Sequence, residues 1–380
     1  MRRPEVGILA LAILASACAI PTESPNWDMT WNLPLPDKNG LSIDVASFLP
    51  SGVTTVGSPA TAFQATVGSP PAITRTLGAD CTSCVPLNGT TAAKPLFTSA
   101  PPATSVTLAA GGSLASGTLA TGSQVVFTVT NGFNFDPIRP DSGSAATNTG
   151  TLTLTVTNGS QTLGVLTVLG TAFGITRSAT TVLPTLALLG TINGAQPVSV
   201  TMTMTSPAGK KVPINTAQIF SLAALPTILI STATVNIAAQ PLTAPATPMD
   251  LSAIDSSIST RVPNDASNRG SMFLTITNPF AVGGSVTLTF TGSRNAAGSS
   301  STVPITPVVK TLILPAGTAG SAPSVVAVQF TGIELRNLLG ANVQAKFTGT
   351  TSAGSLTATP TSKITMTSRL QLTLDLKESK

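Results

Sequence analysis

The feature that most constrains this chain is an alternation of Thr or Ser with an apolar residue, renewed along most of its length. Clear examples are Val125-Val126-Phe127-Thr128-Val129-Thr130, Thr151-Leu152-Thr153-Leu154-Thr155-Val156-Thr157 and Val198-Ser199-Val200-Thr201-Met202-Thr203-Met204-Thr205. Ser285 to Phe290, Ile364 to Thr367 and Leu370 to Leu374 repeat the pattern. A period of two places apolar side chains on one face of a strand and hydroxyls on the other. β-branched residues suit such half-buried strands. Gly, Pro and Asn separate the runs, which is turn chemistry. Helical periodicity is confined to Ile333 to Leu339, a short turn ended by Gly340. The expected fold class is all-β, built of antiparallel sheets.

The pattern also repeats on a larger scale. Phe127-Thr128-Val129-Thr130-Asn131-Gly132-Phe133 matches Leu274-Thr275-Ile276-Thr277-Asn278-Pro279-Phe280. Leu152 to Asn158 then matches Val286 to Gly292, Val182 to Leu189 matches Val309 to Leu314, and Val198 to Thr205 matches Val325 to Phe330. Two tandem Ig-like β-sandwich domains are expected, at 105–240 and 250–380, each long enough for its own core. The prolines at 241, 245 and 248 read as a stiff linker over 241–249. Residues 41–104 read as a low-complexity, loop-rich segment with weak strands, and 18–40 as an extended tether carrying Trp27 and Trp31. The Thr-Ile-Thr-Asn-Pro-Phe stretch at 275–280, with its variant at 128–133, resembles the opening strand of the LEA14/WHy β-sandwich family. The resemblance implies a seven-stranded sandwich without catalytic residues.

The N-terminus has the layout of an export signal over residues 1–17. Arg2 and Arg3 precede an apolar run from Val6 to Ala17, too short for the roughly 20 residues of a spanning helix. Small residues close it at Leu14-Ala15-Ser16-Ala17-Cys18. This segment resembles the lipobox of bacterial lipoproteins, with Leu14 one place earlier than the family pattern. The resemblance implies that Cys18 is lipidated, becomes the mature N-terminus and anchors the chain to a membrane, the outer membrane being favoured. Secretion with a cut before Cys18 or after Ala19, and a retained membrane anchor, fit the same residues.

The chain has three cysteines, and an odd one in an exported protein calls for an explanation. With Cys18 lipidated, Cys81 and Cys84 remain as a pair, expected to form a local structural disulfide in an oxidising compartment. A redox role would need the first cysteine at a helix N-terminus. The turn residues Gly78, Asp80, Pro86, Asn88 and Gly89 speak for the structural role.

Composition removes much chemistry. There is no histidine, which excludes Ser-His-Asp and Cys-His machinery and the usual neutral-pH proton shuttle. Charged residues make up only 9%, so few acid–base pairs are available. The net charge of +5 is scattered and aromatics are 4%, against the clustered basic surface of a nucleic-acid binder. No cofactor motif is present, and Asn134, Asp136 and Asp141 are the one set of oxygen ligands that calcium could use. Asp250, Asp255 and Asp265 are the carboxylates that a glycan hydrolase would need to bring together. The Thr ladders differ in length and spacing along the sequence, which reads them as ordinary exposed strand residues rather than a ligand array.

The function expected is that of an exported, non-enzymatic cell-envelope lipoprotein that binds or scaffolds an envelope protein or polysaccharide. A secreted structural or adhesive subunit assembling through β-edges is the alternative. A carboxylate-dependent glycan hydrolase is a third.

Overall fold

The computed structural model describes residues 28–34, 41–139, 150–252, 256–295 and 301–375. The all-β expectation holds: the described chain is built of antiparallel sheets with short helical turns between them. Two six-strand units of identical topology account for most of it. In the first, Ala179–Val182, Gln124–Asn131 and Ile219–Ile237 lie side by side in one sheet. Gln161–Leu169, Thr151–Asn158 and Val198–Ser206 form the facing sheet. In the second unit the corresponding trios are Ser324–Thr331, Asn268–Thr277 and Lys363–Asp375, and Val308–Leu314, Gly284–Asn295 and Asn342–Thr351.

This correspondence corrects the repeat as read from sequence. Val182 to Leu189 is matched by Ser324–Thr331, and Val198–Ser206 by Asn342–Thr351, one strand later than expected. The slip arises at Gln161–Leu169, an additional strand that follows a two-residue turn at Gly159-Ser160 and pairs with Thr151–Asn158. Gly159 takes φ +58, the conformation that so tight a hairpin demands.

The apolar half of each alternation forms the core. Val125, Phe127 and Val129 on one sheet and Leu152, Leu154, Val156, Met202 and Met204 on the other are all 1% exposed or less. In the second unit Met272, Leu274 and Ile276 are buried with Val286, Leu288, Phe290 and Phe347. Burial of one such side chain contributes about 1.5–3 kcal/mol. The buried residues of both units form one continuous cluster, with Phe48 packed edge-on against Phe280 at 5.3 Å.

The expected linker and part of the expected tether are strands, and the loop-rich 41–104 segment carries the weak strands expected of it. Pro241–Asp250 is not a linker: it pairs with Asn342–Thr351 as the outermost strand of the second unit. An edge strand tolerates proline because one side needs no amide donor, and the pairing slips between Ala244 and Thr247, where Pro245 lies. Asp28–Pro34, within the expected tether, pairs with Lys363–Asp375, and Leu41–Asp44, at the start of the 41–104 segment, joins the same strand further along. The 41–104 segment supplies Val53–Val56, Ala62–Ala65 and Ile73–Thr76 to the first unit's sheet, and Phe97–Ser99 and Thr104–Val106 to its partner. The two units are also interleaved: Gly354–Ala358 pairs with the far half of Ile219–Ile237.

The expected helical turn is Gly332–Leu338. Thr331 caps it, and Glu334 returns a bond to the Thr331 amide. Short helices at Leu77–Asp80 and Ser256–Arg261 were not foreseen.

Candidate functional site

The outward hydroxyls are more ordered than the sequence suggests. Thr153 lies opposite both Thr167 and Thr203, and Thr151 opposite Thr205, which continues to Thr98. Thr157 faces Thr162 and Ser199, which continues to Ser105. The ladders of the first unit therefore align across neighbouring strands, forming a sheet face of hydroxyls without a charge. Exposed Val165 and Leu169 border it. The second unit repeats the arrangement with Thr287 between Thr311 and Thr348, bordered by exposed Val309 and Ile313, but places Lys346 beside Thr289.

Three asparagines end strands in the same way. Asn131, Asn158 and Asn278 follow Thr-Val-Thr, Thr-Val-Thr and Thr-Ile-Thr, and all are buried. The Asn131 amide donates to the Phe135, Ile175 and Thr176 carbonyls, and its oxygen accepts from the Phe133 amide. The Asn278 amide donates to the Val282 and Pro315 carbonyls, and its oxygen accepts from the Phe280 amide. The matching i+2 and i+4 partners mark Asn131 and Asn278 as equivalent. Asn158 uses the same chemistry on a remote loop. Its amide donates to Asn193, Gln196 and Pro197 carbonyls at 2.9–3.4 Å, and its oxygen accepts from the Asn193 amide at 2.6 Å.

That bond set fixes the 193–197 loop against the Gly159-Ser160 turn and shapes a cleft of about 450 Å³. Its walls come from Ser116 on Leu114–Leu119, the turn at 158–161, and residues 191–196. Every side chain in the lining is uncharged, and Ile192, the one apolar member, is buried. Gln161, Gln196, Ser160 and Thr191 project hydroxyls or amides that hold no hydrogen bond within the described residues. An amide offers two donors and an acceptor, and a hydroxyl offers both functions. Sequence reading missed this group. The signal available was Thr-Val-Thr-Asn-Gly, which occurs at 128–132 and again at 155–159.

The oxygen ligands proposed for calcium are arranged otherwise. Asp136 Oδ1 accepts from the Ile138 and Arg139 amides, and Oδ2 from the Ile175 amide at 2.7 Å. A carboxylate surrounded by N–H donors stitches a loop; it does not present its lone pairs to a cation. Asn134 donates from its backbone to Gln218 and from its side chain to the Pro213 carbonyl, and Asp141 lies outside the described residues. Among the described residues no cluster of metal-ligating side chains occurs. Beside this loop Lys94 is 1% exposed, donates to the Asp136 carbonyl at 3.4 Å and lies over the Phe135 ring. Burial pushes the Asp136 carboxyl up, against the pull of its three amides and of Lys94.

Cys81 and Cys84 are disulfide-bonded, with Cα atoms 5.2 Å apart and both residues fully buried. Cys81 closes the C-terminal end of Leu77–Asp80, its amide donating to the Leu77 carbonyl. Cys18 and Asp255 lie outside the described residues. Asp265 is paired with Arg269 at 2.5 Å, which holds its carboxyl below the usual range. Among the described residues no helix is long and apolar enough to cross a membrane.

No family model matches the chain, and no curated protein matches it. Two solved structures show similarity. One is an inferred secreted protein from Parabacteroides distasonis, 12% identical over 90% of this chain and 99% of that one, with a TM-score of 0.29. The other is a xanthan lyase from Paenibacillus, 11% identical over 88% of this chain and 26% of that one, with a TM-score of 0.14.

Proposed function

We propose that this chain is an exported cell-envelope protein, anchored to a membrane through lipid on Cys18, that binds or scaffolds an envelope component without catalysing a reaction. The buried Cys81–Cys84 disulfide is the observation that carries this reading. Such bonds persist in oxidising compartments, and this one leaves Cys18 as the single cysteine without a partner in sequence. The apolar N-terminal run ending at Ala17-Cys18 agrees with export.

The binding role without catalysis is supported by how the carboxylates are used. Asp80 is paired with Arg75, Asp136 with three amides, Asp265 with Arg269, and Glu334 with Lys310 and the Thr331 amide. Each has a structural partner, and the chain has no histidine to relay a proton. A neutral cleft and a neutral sheet face remain as the surfaces fitted to recognition. Fractionation of cells making the natural chain and Cys18→Ala tests the anchor. The natural protein is expected with the membranes and the variant in the soluble exported fraction. Equal distribution of the two would remove Cys18 from the account.

A further inference from the structure

We propose that the cleft held by Asn158 binds a neutral saccharide; this rests on the envelope-binding reading and names its ligand class. The lining decides the class by exclusion and by fit. No charged side chain reaches the cleft, so neither an anion nor a cation finds a counter-charge there. Its one apolar side chain, Ile192, is 2% exposed, so no aliphatic or aromatic side chain is offered as an anchor for an apolar ligand. What is offered is a set of amides and hydroxyls, each able to donate and accept. A sugar's adjacent hydroxyls, which do the same, are the complementary chemistry. The volume, 450 Å³, falls in the range of small-molecule sites, roughly 300–1,000 Å³.

Two further observations favour this site. Its walls are preorganised, because the Asn158 side chain already holds the 193–197 loop through four hydrogen bonds. Little loop ordering is then left for a ligand to impose. The outer row Thr162, Thr157, Ser199 and Ser105 also lies at the end of the sheet that carries the same turn. Thr157 and Thr162 flank the 158–161 turn that lines the cleft, so neutral hydroxyls adjoin it along the chain, which suits an oligosaccharide better than a single ring.

The test is calorimetric titration of the full mature protein with maltotetraose, cellotetraose, tetra-N-acetylchitotetraose and, as a charged probe, tetragalacturonate. At least one neutral tetrasaccharide is expected to bind with Kd of about 1 mM or tighter. Gln161→Ala and Gln196→Ala are each expected to weaken it about 5-fold, the worth of one net hydrogen bond. Both side chains are exposed and make no hydrogen bond in the described structure, so Tm should not move. Ser160→Trp, which fills the cleft and keeps both amides, should abolish binding. The proposal fails if no neutral sugar binds, if binding survives Ser160→Trp, or if tetragalacturonate binds in preference. The fractionation of Cys18→Ala reads the anchor independently, so loss of the sugar result alone leaves the envelope reading standing.

Discussion

At the scale of single residues, the stability of this protein depends on polar groups inside it as well as on its apolar core. Asn131, Asn158 and Asn278 are buried, and each accepts from one backbone amide and donates to two or three carbonyls. Leaving one such group unsatisfied costs about 1–3 kcal/mol. Replacing any of the three by Ala should therefore destabilise the protein by about 2–4 kcal/mol, read from urea unfolding. A loss below about 0.5 kcal/mol, the range of neutral surface changes, would show that these bonds are dispensable.

The titrating residues give opposite dependences on pH. The folded pKa of Asp136 is raised by burial, so its stabilising contribution is full below its unfolded pKa and is lost as pH rises through the folded value. Lys94 and Arg139 are the cations at its loop. For Glu334, burial acts to raise the pKa, but Lys310 and the Thr331 amide outweigh it and hold the carboxyl low. Its contribution is present above the unfolded pKa and is lost as pH falls through the folded one. Between about pH 4 and 7, Asp136→Asn should gain on the natural protein as pH rises, because it buries no charge. A difference independent of pH would contradict the buried carboxylate.

At the scale of elements, edges explain most of what happens outside the two six-strand units. The outer edge of Lys363–Asp375 is covered by Asp28–Pro34 and Leu41–Asp44, and that of Ile219–Ile237 by Ile73–Thr76, Ala62–Ala65 and Gly354–Ala358. Uncovered edges invite pairing with other chains, and a chain with 9% charged residues has few charges to guard them. Breaking the capping box of the Gly332–Leu338 helix with Thr331→Ala should cost about 1 kcal/mol by thermal unfolding. The strictly alternating strands, that helix and the cysteine pair were legible because their signals are local: period two, a capping pattern, a short spacing. The partners of each strand were not. Pro241–Asp250 looked like a linker because proline content does not reveal that an edge strand needs amides on one side only. Asn131 and Asn158 looked like turn residues because their acceptors lie at 175–176 and 193–197, positions fixed only by the fold. The cleft was hidden for the same reason.

At the scale of the whole molecule, duplication has been overlaid by exchange. The hairpin strand Gly354–Ala358 of the second unit adds to the first unit's sheet, with Leu356 fully buried. One continuous core should give one cooperative unfolding transition, and Leu356→Ala should lower it by about 2–5 kcal/mol without splitting it. Two resolved calorimetric transitions in the natural protein would instead describe independent domains. The Cys81–Cys84 loop is short, so reduction should lower stability by only about 2 kcal/mol.

The claim on which the functional account turns is that the mature chain starts at a lipidated Cys18. Mass spectrometry of the N-terminal peptide from the membrane-extracted protein measures this directly. The account predicts a peptide beginning at Cys18 and carrying a diacylglyceryl group. A mature N-terminus elsewhere, or an unmodified Cys18, would contradict it.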